Sequence, residues 1–380
     1  MNQRLLLDLL FASGPATRPQ LGQAAGLSQP TVIAALADLE KLGLVRPCGR
    51  TTSAPGRAPM LYEINPSAGA VVGVDIGREW IRLMVTDLAG NRLSQLEVRN
   101  TAADRSGLVD AVGQLVSKGT ADAGLQPEQI THTVIGSPGV YDTGRSQLLY
   151  AANLPGWLRS RVVKALDERF GSAVTIDNDA NLAALGEYTY GAGKAVRHFV
   201  YLTIGTGVGL GIVIDGQLYR GSSGSAGEVG YLPVGDELPL TPRRRPQRGM
   251  LEESFGSEAV VRRAREAGMK GTFTAEDVFT AARHGDAHAR AVVITEAQML
   301  ARVVSSICAL LDPELIVVGG GIGQNLDLLE PEMTTELARL TPMRPALGVG
   351  DLDRDAVVLG AIAMGIQYAR ETLFESRAGK

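Results

Sequence analysis

The chain has 380 residues and a mass of 40.1 kDa, which at about 100–200 residues per domain allows two or three domains. Its 45% hydrophobic and 21% charged residues suit a globular protein. Its 46 glycines cluster in short strings and not at every third position, so disordered and collagen-like chains are excluded. Two cysteines, Cys48 and Cys308, are too few for a disulfide framework or a cysteine-built zinc site and fit a reducing cytoplasm.

The nearest approach to a membrane span, residues 199–214, is broken by threonines and glycines, so no membrane partner is expected. The apolar start is interrupted by Asp8 and reads as a first helix, not as a signal peptide. The net charge of −4 hides an asymmetry. Residues 1–66 hold six Lys/Arg and four Asp/Glu, against 31 and 37 in the remainder. A slightly basic head on an acidic body permits a nucleic-acid partner for the head.

Leucines 5, 6, 9 and 10 form a helical stripe over residues 2–13, which Gly14-Pro15 ends. Thr17 with Gln20 three residues on predicts a capping box, and a second helix to about Ala25 with Leu21, Ala24 and Ala25 inward. Gly26 is a turn. Ser28 caps a third helix, with Pro30 in its first turn and Val32, Leu36 and Leu39 on its apolar face. Two short helices joined by a glycine-bearing turn have the spacing of a helix-turn-helix. Ser28, Gln29 and Thr31 would then face base edges or phosphates. Residues 44–46 and 61–64 read as a hairpin, and residues 51–59 as a wing whose Arg50 and Arg57 face phosphate or the minor groove. The alternative is a three-helix protein-interaction module. Residues 65–67 read as a linker, which gives two domains, 1–66 and 67–380.

In the body, residues 71–77 (VVGVDIG) read as a buried strand ending in a turn, followed by strands over 81–87 and beyond Gly90-Asn91. Residues 134–142, 174–181, 201–211 and 315–323 are further apolar strands entering glycine-, proline- or Asp/Asn-bearing turns. Residues 153–157 form a loop, and AGEVG at 226–230 and LEE at 251–253 follow the second glycine-rich hairpin. In order and spacing these motifs resemble the ROK family, which groups bacterial sugar-responsive repressors with sugar kinases. The resemblance covers nearly the whole chain. It implies an α/β protein: a winged helix-turn-helix followed by a two-lobed, actin-like (ribonuclease H-like) sugar-kinase fold, whose last helix returns to the first lobe.

The resemblance also implies roles. Asn153, Asn178, Asp179, Glu228 and Glu252 match sugar-contacting positions, and carboxylates paired with amides can meet adjacent hydroxyls with two hydrogen bonds each. Tyr231 joins this sugar-binding set. Asp179 matches the kinase general base, and Asp75 the aspartate that helps hold the metal–phosphate group. For Asn178 and Asp179 a simple helix cap is the competing reading.

Three departures bear on function. The first phosphate loop, usually DxGGT, reads Asp75-Ile76-Gly77-Arg78-Glu79, which obstructs backbone approach to a phosphate and argues against an enzyme. Where relatives carry a zinc-binding histidine, this chain has Tyr231. Their cysteine-rich zinc loop is replaced by residues 243–252 (RRRPQRGMLE), so no cofactor is expected and the Arg243–Arg248 run reads as a solvated basic loop. His284 and His288 lack the glutamate of a zinc-protease helix and read as a surface turn.

The resulting expectation is a cytoplasmic transcription regulator. It would bind a double-stranded DNA operator, respond to a sugar or sugar derivative, and act as a homodimer or homotetramer. A sugar kinase with a DNA-binding head and a ligand-independent DNA-binding protein are the competing readings.

Overall fold

The computed structural model describes residues 2–51, 58–102, 104–142, 147–149, 162–170, 173–234 and 249–378. Three features expected from the sequence lie outside the described residues: Arg57 at the wing tip, Asn153 with its loop, and the Arg243–Arg248 run.

The head opens with α1 (Asn2–Ser13), a short strand β1 (Ala16–Thr17), α2 (Arg18–Ala25) and α3 (Gln29–Lys41). The capping box forms as expected: the Thr17 amide donates to Gln20 Oε1 at 2.9 Å, and the Gln20 amide to Thr17 Oγ1 at 3.4 Å. Two side chains face the other way from the sequence reading. α1 buries Leu6, Leu7 and Leu10 and leaves Leu5 exposed, and α2 leaves Ala24 exposed. The buried stripe is set by where α3 and the head sheet lie, and with leucines at 5, 6, 7, 9 and 10 their spacing alone cannot specify that. Strands β2 (Val45–Arg50) and β3 (Met60–Ile64) pair antiparallel as the wing hairpin, and β1 adds to the β3 edge.

The first lobe of the body contains β4 (Ala70–Ile76), β5 (Trp80–Asp87), β6 (Arg92–Arg99), α4 (Arg105–Asp122), β7 (Ile130–Ser137), the small pair β8 (Val140–Asp142) and β9 (Gln147–Leu149), α5 (Val162–Phe170) and β10 (Ala173–Asn178). Helix α6 (Asp179–Tyr190) leads to the second lobe. That lobe contains β11 (Phe199–Ile204), β12 (Val208–Ile214), β13 (Gln217–Leu218), α7 (Met250–Ser254), α8 (Ser257–Glu266), α9 (Ala275–Arg283), α10 (Ala287–Leu311), β14 (Leu315–Gly319), α11 (Gly320–Gly323), α12 (Leu326–Leu340) and β15 (Ala346–Val349). Helix α13 (Ala356–Ala378) closes the chain.

The two five-stranded sheets repeat one topology. Their orders are β10-β7-β4-β5-β6 and β13-β12-β11-β14-β15; in each, the three strands that come first in the chain pair antiparallel and the two that come later join in parallel. This is the expected two-lobed α/β architecture. Strand β4 is buried along its whole length, because sheet neighbours flank it and helices cover both faces, so its apolar run needs no alternation. Helix α10 is long and apolar enough to cross a membrane by length and composition, but it is the central helix of the second lobe, with Val292, Ala297, Leu300 and Val304 in its core.

Helix α13 returns to the first lobe and lies along α6 and β4. Its seam with α6 is closed by glycine: a Cβ at Gly360 would lie 1.7 Å from the Leu182 carbonyl oxygen. The far end of α13 reaches the head. One apolar cluster runs from Leu6, Leu10 and Leu36 through Val71 and Met84 to Val358, Ile362 and Ala369. The segment read as a linker is a single 3-10 turn, Pro66–Ala68, capped by Asn65, and it joins two bodies that share this core.

Candidate functional site

The cleft between the lobes collects acidic groups from separate elements. Strand β4 delivers Asp75 at its end. Strand β10 ends at Asn178, so Asp179 opens α6. Glu228 precedes the 3-10 turn Val229–Tyr231, and Glu252 sits in α7. Glycine brings the last two segments together: a Cβ at Gly249, the N-cap of α7, would lie 1.9 Å from the Gly230 carbonyl oxygen, so the start of α7 rests directly on the 228–231 turn.

The electrostatics centre on Asp179. Burial pushes its carboxyl up, and its charge in turn acts on its neighbours. Glu228 is pushed up to about 7 by burial, then by Asp179 and Glu252. Asp75 is pushed up to about 7 by burial and by Asp179, against the pull of the Arg82 guanidinium. Near neutral pH such a cluster can both donate and accept hydrogen bonds, which is what vicinal hydroxyls require.

Asn178 is the N-cap of α6. Its Oδ1 accepts from the Asn181 amide at 3.1 Å, and its Nδ2 donates to the Gly139 carbonyl at 3.1 Å. The amide is therefore engaged at both ends by the protein itself, as the capping reading of this residue expects. Asp179, the first residue of α6, accepts from the Ala180 amide through Oδ1 at 2.8 Å.

Several residues that organise the cleft carried no signal in the sequence. Arg220, after β13, places Nε and Nη2 at 3.0 and 2.7 Å from Asp177 Oδ2, which ties the second lobe to the end of β10. Arg82 holds Asp75 at 3.3 Å and Glu97 at 3.0 Å. Glu187, fully buried in α6, accepts from the amides of Ala192, Asp351 and Leu352 and so anchors the approach to α13. Arg220 with Asp177 and Glu187 with residues 351 and 352 are long-range pairs that no local spacing announces, whereas Arg82 and Asp75 face each other across the β4–β5 hairpin.

The first phosphate loop closes tightly, with the Gly77 amide donating to the Trp80 carbonyl at 2.9 Å. Arg78 reaches across to Glu258 of α8 at 3.5 Å, so a charged pair links the two lobes beside this loop. Among the described residues, no group of three His, Cys, Asp or Glu side chains is arranged to hold a metal ion. Cys48 is exposed in the head and Cys308 is buried in α10, both remote from Tyr231 in the chain, and a phenol does not replace the missing donors. Among the described residues, no zinc donor set surrounds Tyr231.

In the head, Ser28 Oγ caps α3 through the Thr31 amide at 3.4 Å and lies 2.8 Å from Thr31 Oγ1, while Gln29 is exposed beside them. Arg50 donates to the Ala58 carbonyl at 3.0 Å, at the base of the wing. The head is held to α13 by polar contacts as well as by the shared core. Arg377 donates to the carbonyls of Leu42 at 3.1 Å and Ala68 at 2.6 Å, and Arg370 donates to Asp8 Oδ1 at 3.1 Å. A groove of about 720 Å³ lies along this seam, bordered by Phe11, Leu88, Tyr190 and Ile366; it contains none of the cleft carboxylates.

A xylose repressor from Caldicellulosiruptor bescii is 27% identical over 96% of this chain and 95% of its own length. A glucokinase from Halalkalibacterium halodurans is 30% identical over 76% of this chain and 92% of its own length. Among solved structures, a ROK family transcriptional regulator described as a homologue of the E. coli MLC protein superposes with a TM-score of 0.80 at 20% identity, covering 99% of this chain and 98% of that one, a likeness of fold. Residues 71–367 match the ROK family model. Full-length agreement with a regulator, agreement of the body alone with a kinase, and the family match together place the protein: it belongs to the ROK family.

Proposed function

We propose that this protein is a sugar-responsive, DNA-binding transcriptional repressor. The observation that carries the reading is mechanical continuity. Helix α6 begins at the cleft with Asp179, α13 packs along α6, and the same α13 shares a core with the winged helix-turn-helix. A sugar held by Asp179, Glu228 and Glu252 draws the lobes together. The α6–α13 pair carries that movement to the head, and the heads of a homodimer lose their spacing. Half-sites must lie about 34–36 Å apart or multiples of that, so a small rigid-body change is enough to release a palindromic operator. The names of the repressor relatives make D-xylose the first effector to test.

Two finer points belong to the same proposal. The protein is not a kinase: Arg78 and Glu79 stand where a phosphate donor needs a glycine and a small hydroxyl, and Asp75 is engaged by Arg82. It also works without a structural zinc, a reading supported by the tyrosine at 231 and the lack of cysteine in residues 243–252.

A thermal-shift screen against sugars, sugar phosphates and ATP–magnesium tests the reading, since a ligand bound only by the native state raises the melting temperature by mass action. A shift with one sugar that is lost in Asp179→Asn supports the sensor. A shift with ATP–magnesium favours the kinase, and no shift with any sugar favours a ligand-independent DNA-binding protein.

A further inference from the structure

Helix α3 is amphipathic in an unusual way for a helix expected to enter DNA. Its inner face buries Val32, Ala35, Leu36 and Leu39. Its outer face is also largely apolar. Pro30, Ile33, Ala34 and Ala37 are all exposed, Ile33 to 45%, and their i, i+3, i+4, i+7 spacing sets them in one strip. Residues 29–40 contain no lysine or arginine, the side chains that make the commonest specific contact, to guanine. Of the polar groups nearby, Ser28 caps the helix and Asp38 accepts from Gln3 Nε2 of α1 at 2.9 Å, while Gln29 stays exposed one turn before Ile33. Lys41 closes the same helix four residues beyond Ala37; of the other basic residues, Arg18 on α2 is bonded to Tyr62, and Arg46 and Arg50 on β2 are paired with Glu63 and the Ala58 carbonyl.

The major-groove edge of DNA offers one apolar group, the 5-methyl of thymine. We propose that α3 recognises A·T-rich half-sites through thymine methyl groups, with Ile33, Ala34 and Ala37 as the methyl-binding strip. This rests on the DNA-binding reading of the head and adds the chemistry of its sequence preference. The basic surroundings complement the backbone, and the apolar strip gains only where methyl groups replace water against it. Guanine-rich half-sites offer the strip nothing.

The test uses the full-length protein. Bound sequences are selected from a random duplex library, and each thymine of the selected half-site is then replaced singly by deoxyuridine, which removes the methyl and keeps every hydrogen-bonding group. The expected result is A·T-rich half-sites in which deoxyuridine weakens binding about three- to fivefold at the thymines facing α3, the scale of one buried methyl. In Ile33→Ala or Ala37→Ser, both at exposed positions, the penalty at the facing thymine should disappear because binding to the thymine duplex falls to the level of the deoxyuridine duplex. Selected half-sites read through guanine, deoxyuridine tolerated throughout, or penalties unchanged in both variants would each overturn the proposal while leaving the DNA-binding reading intact. Failure to bind any duplex would remove that reading and the proposal with it.

Discussion

Arg370 of the last helix grips Asp8 of the first. Its Nη2 lies 3.1 Å from Asp8 Oδ1, and its guanidinium carbon stands 4.2 Å from the centroid of the Phe11 ring. The contact closes the chain on itself and makes the head an extension of α13. A partly exposed ion pair with a cation–π contact contributes only about 1 kcal/mol, so its role is directional more than stabilising. Arg370→Ala is therefore expected to lower the melting temperature slightly, leave sugar binding unchanged and weaken the sugar dependence of operator binding. Paired calorimetric and anisotropy titrations check this; a variant with full sugar dependence would place the coupling elsewhere.

The α6–α13 seam gives a second test. A Cβ at Gly360 meets the Leu182 carbonyl at 1.7 Å, and backbone cannot yield as a side-chain tip does. Gly360→Ala should cost about 1–3 kcal/mol and lower the melting temperature by several degrees. Thermal denaturation followed by circular dichroism measures it, and an unchanged midpoint would mean that the two helices are not locked together.

The cleft carboxyls predict a pH signature. Asp75 and Glu228 titrate at about 7 in the folded protein, above their ordinary values of 3.8 and 4.5. Each therefore stabilises the fold fully below about 4, and the contribution is lost as pH rises through 7. His132 acts with the opposite sign: burial lowers it to about 4, so it opposes folding as pH falls below its ordinary value of 6.5. Asp179→Asn removes a charge that raises both carboxyls and leaves His132 alone. The melting-temperature gain of Asp179→Asn over wild type should thus grow from pH 5 to pH 8. A difference that shrinks with pH would contradict the acidic-cluster account.

Metal analysis supplies a fourth test. Purified protein is expected to carry far less than one zinc per chain, and a chelator should leave both its melting temperature and its operator affinity unchanged. Stoichiometric zinc would require ligands other than those around Tyr231.

Much of this was legible in the sequence where local chemistry is strong. The Thr17–Gln20 capping box, the Ser28 cap and the buried run of β4 each announce themselves within a few residues. The carboxylates at 179, 228 and 252 could be picked out by motif order. What stayed hidden depends on distant segments meeting. Arg220 finds Asp177 across 43 residues, Glu187 anchors residues 351 and 352, and Arg370 and Arg377 fasten the head. A lone arginine or glutamate on a helix reads as a solvated charge until its partner is placed. The turn at 65–67 shows the same limit: its polar residues are local, but the core that passes beside it is built by α1 and α13 from opposite ends of the chain.

The most direct measurement is the affinity of the full-length protein for its selected operator duplex, with and without each sugar that shifts its melting temperature, in wild type and in Asp179→Asn. Coupling between sites typically changes affinity by about 5–150-fold. The expected result is a loss of operator affinity in that range when one sugar binds the wild type, and an Asp179→Asn variant that binds the duplex equally well with or without it. Operator affinity unchanged by every sugar that the cleft binds would contradict the central claim that α6 and α13 carry the state of the cleft to the head.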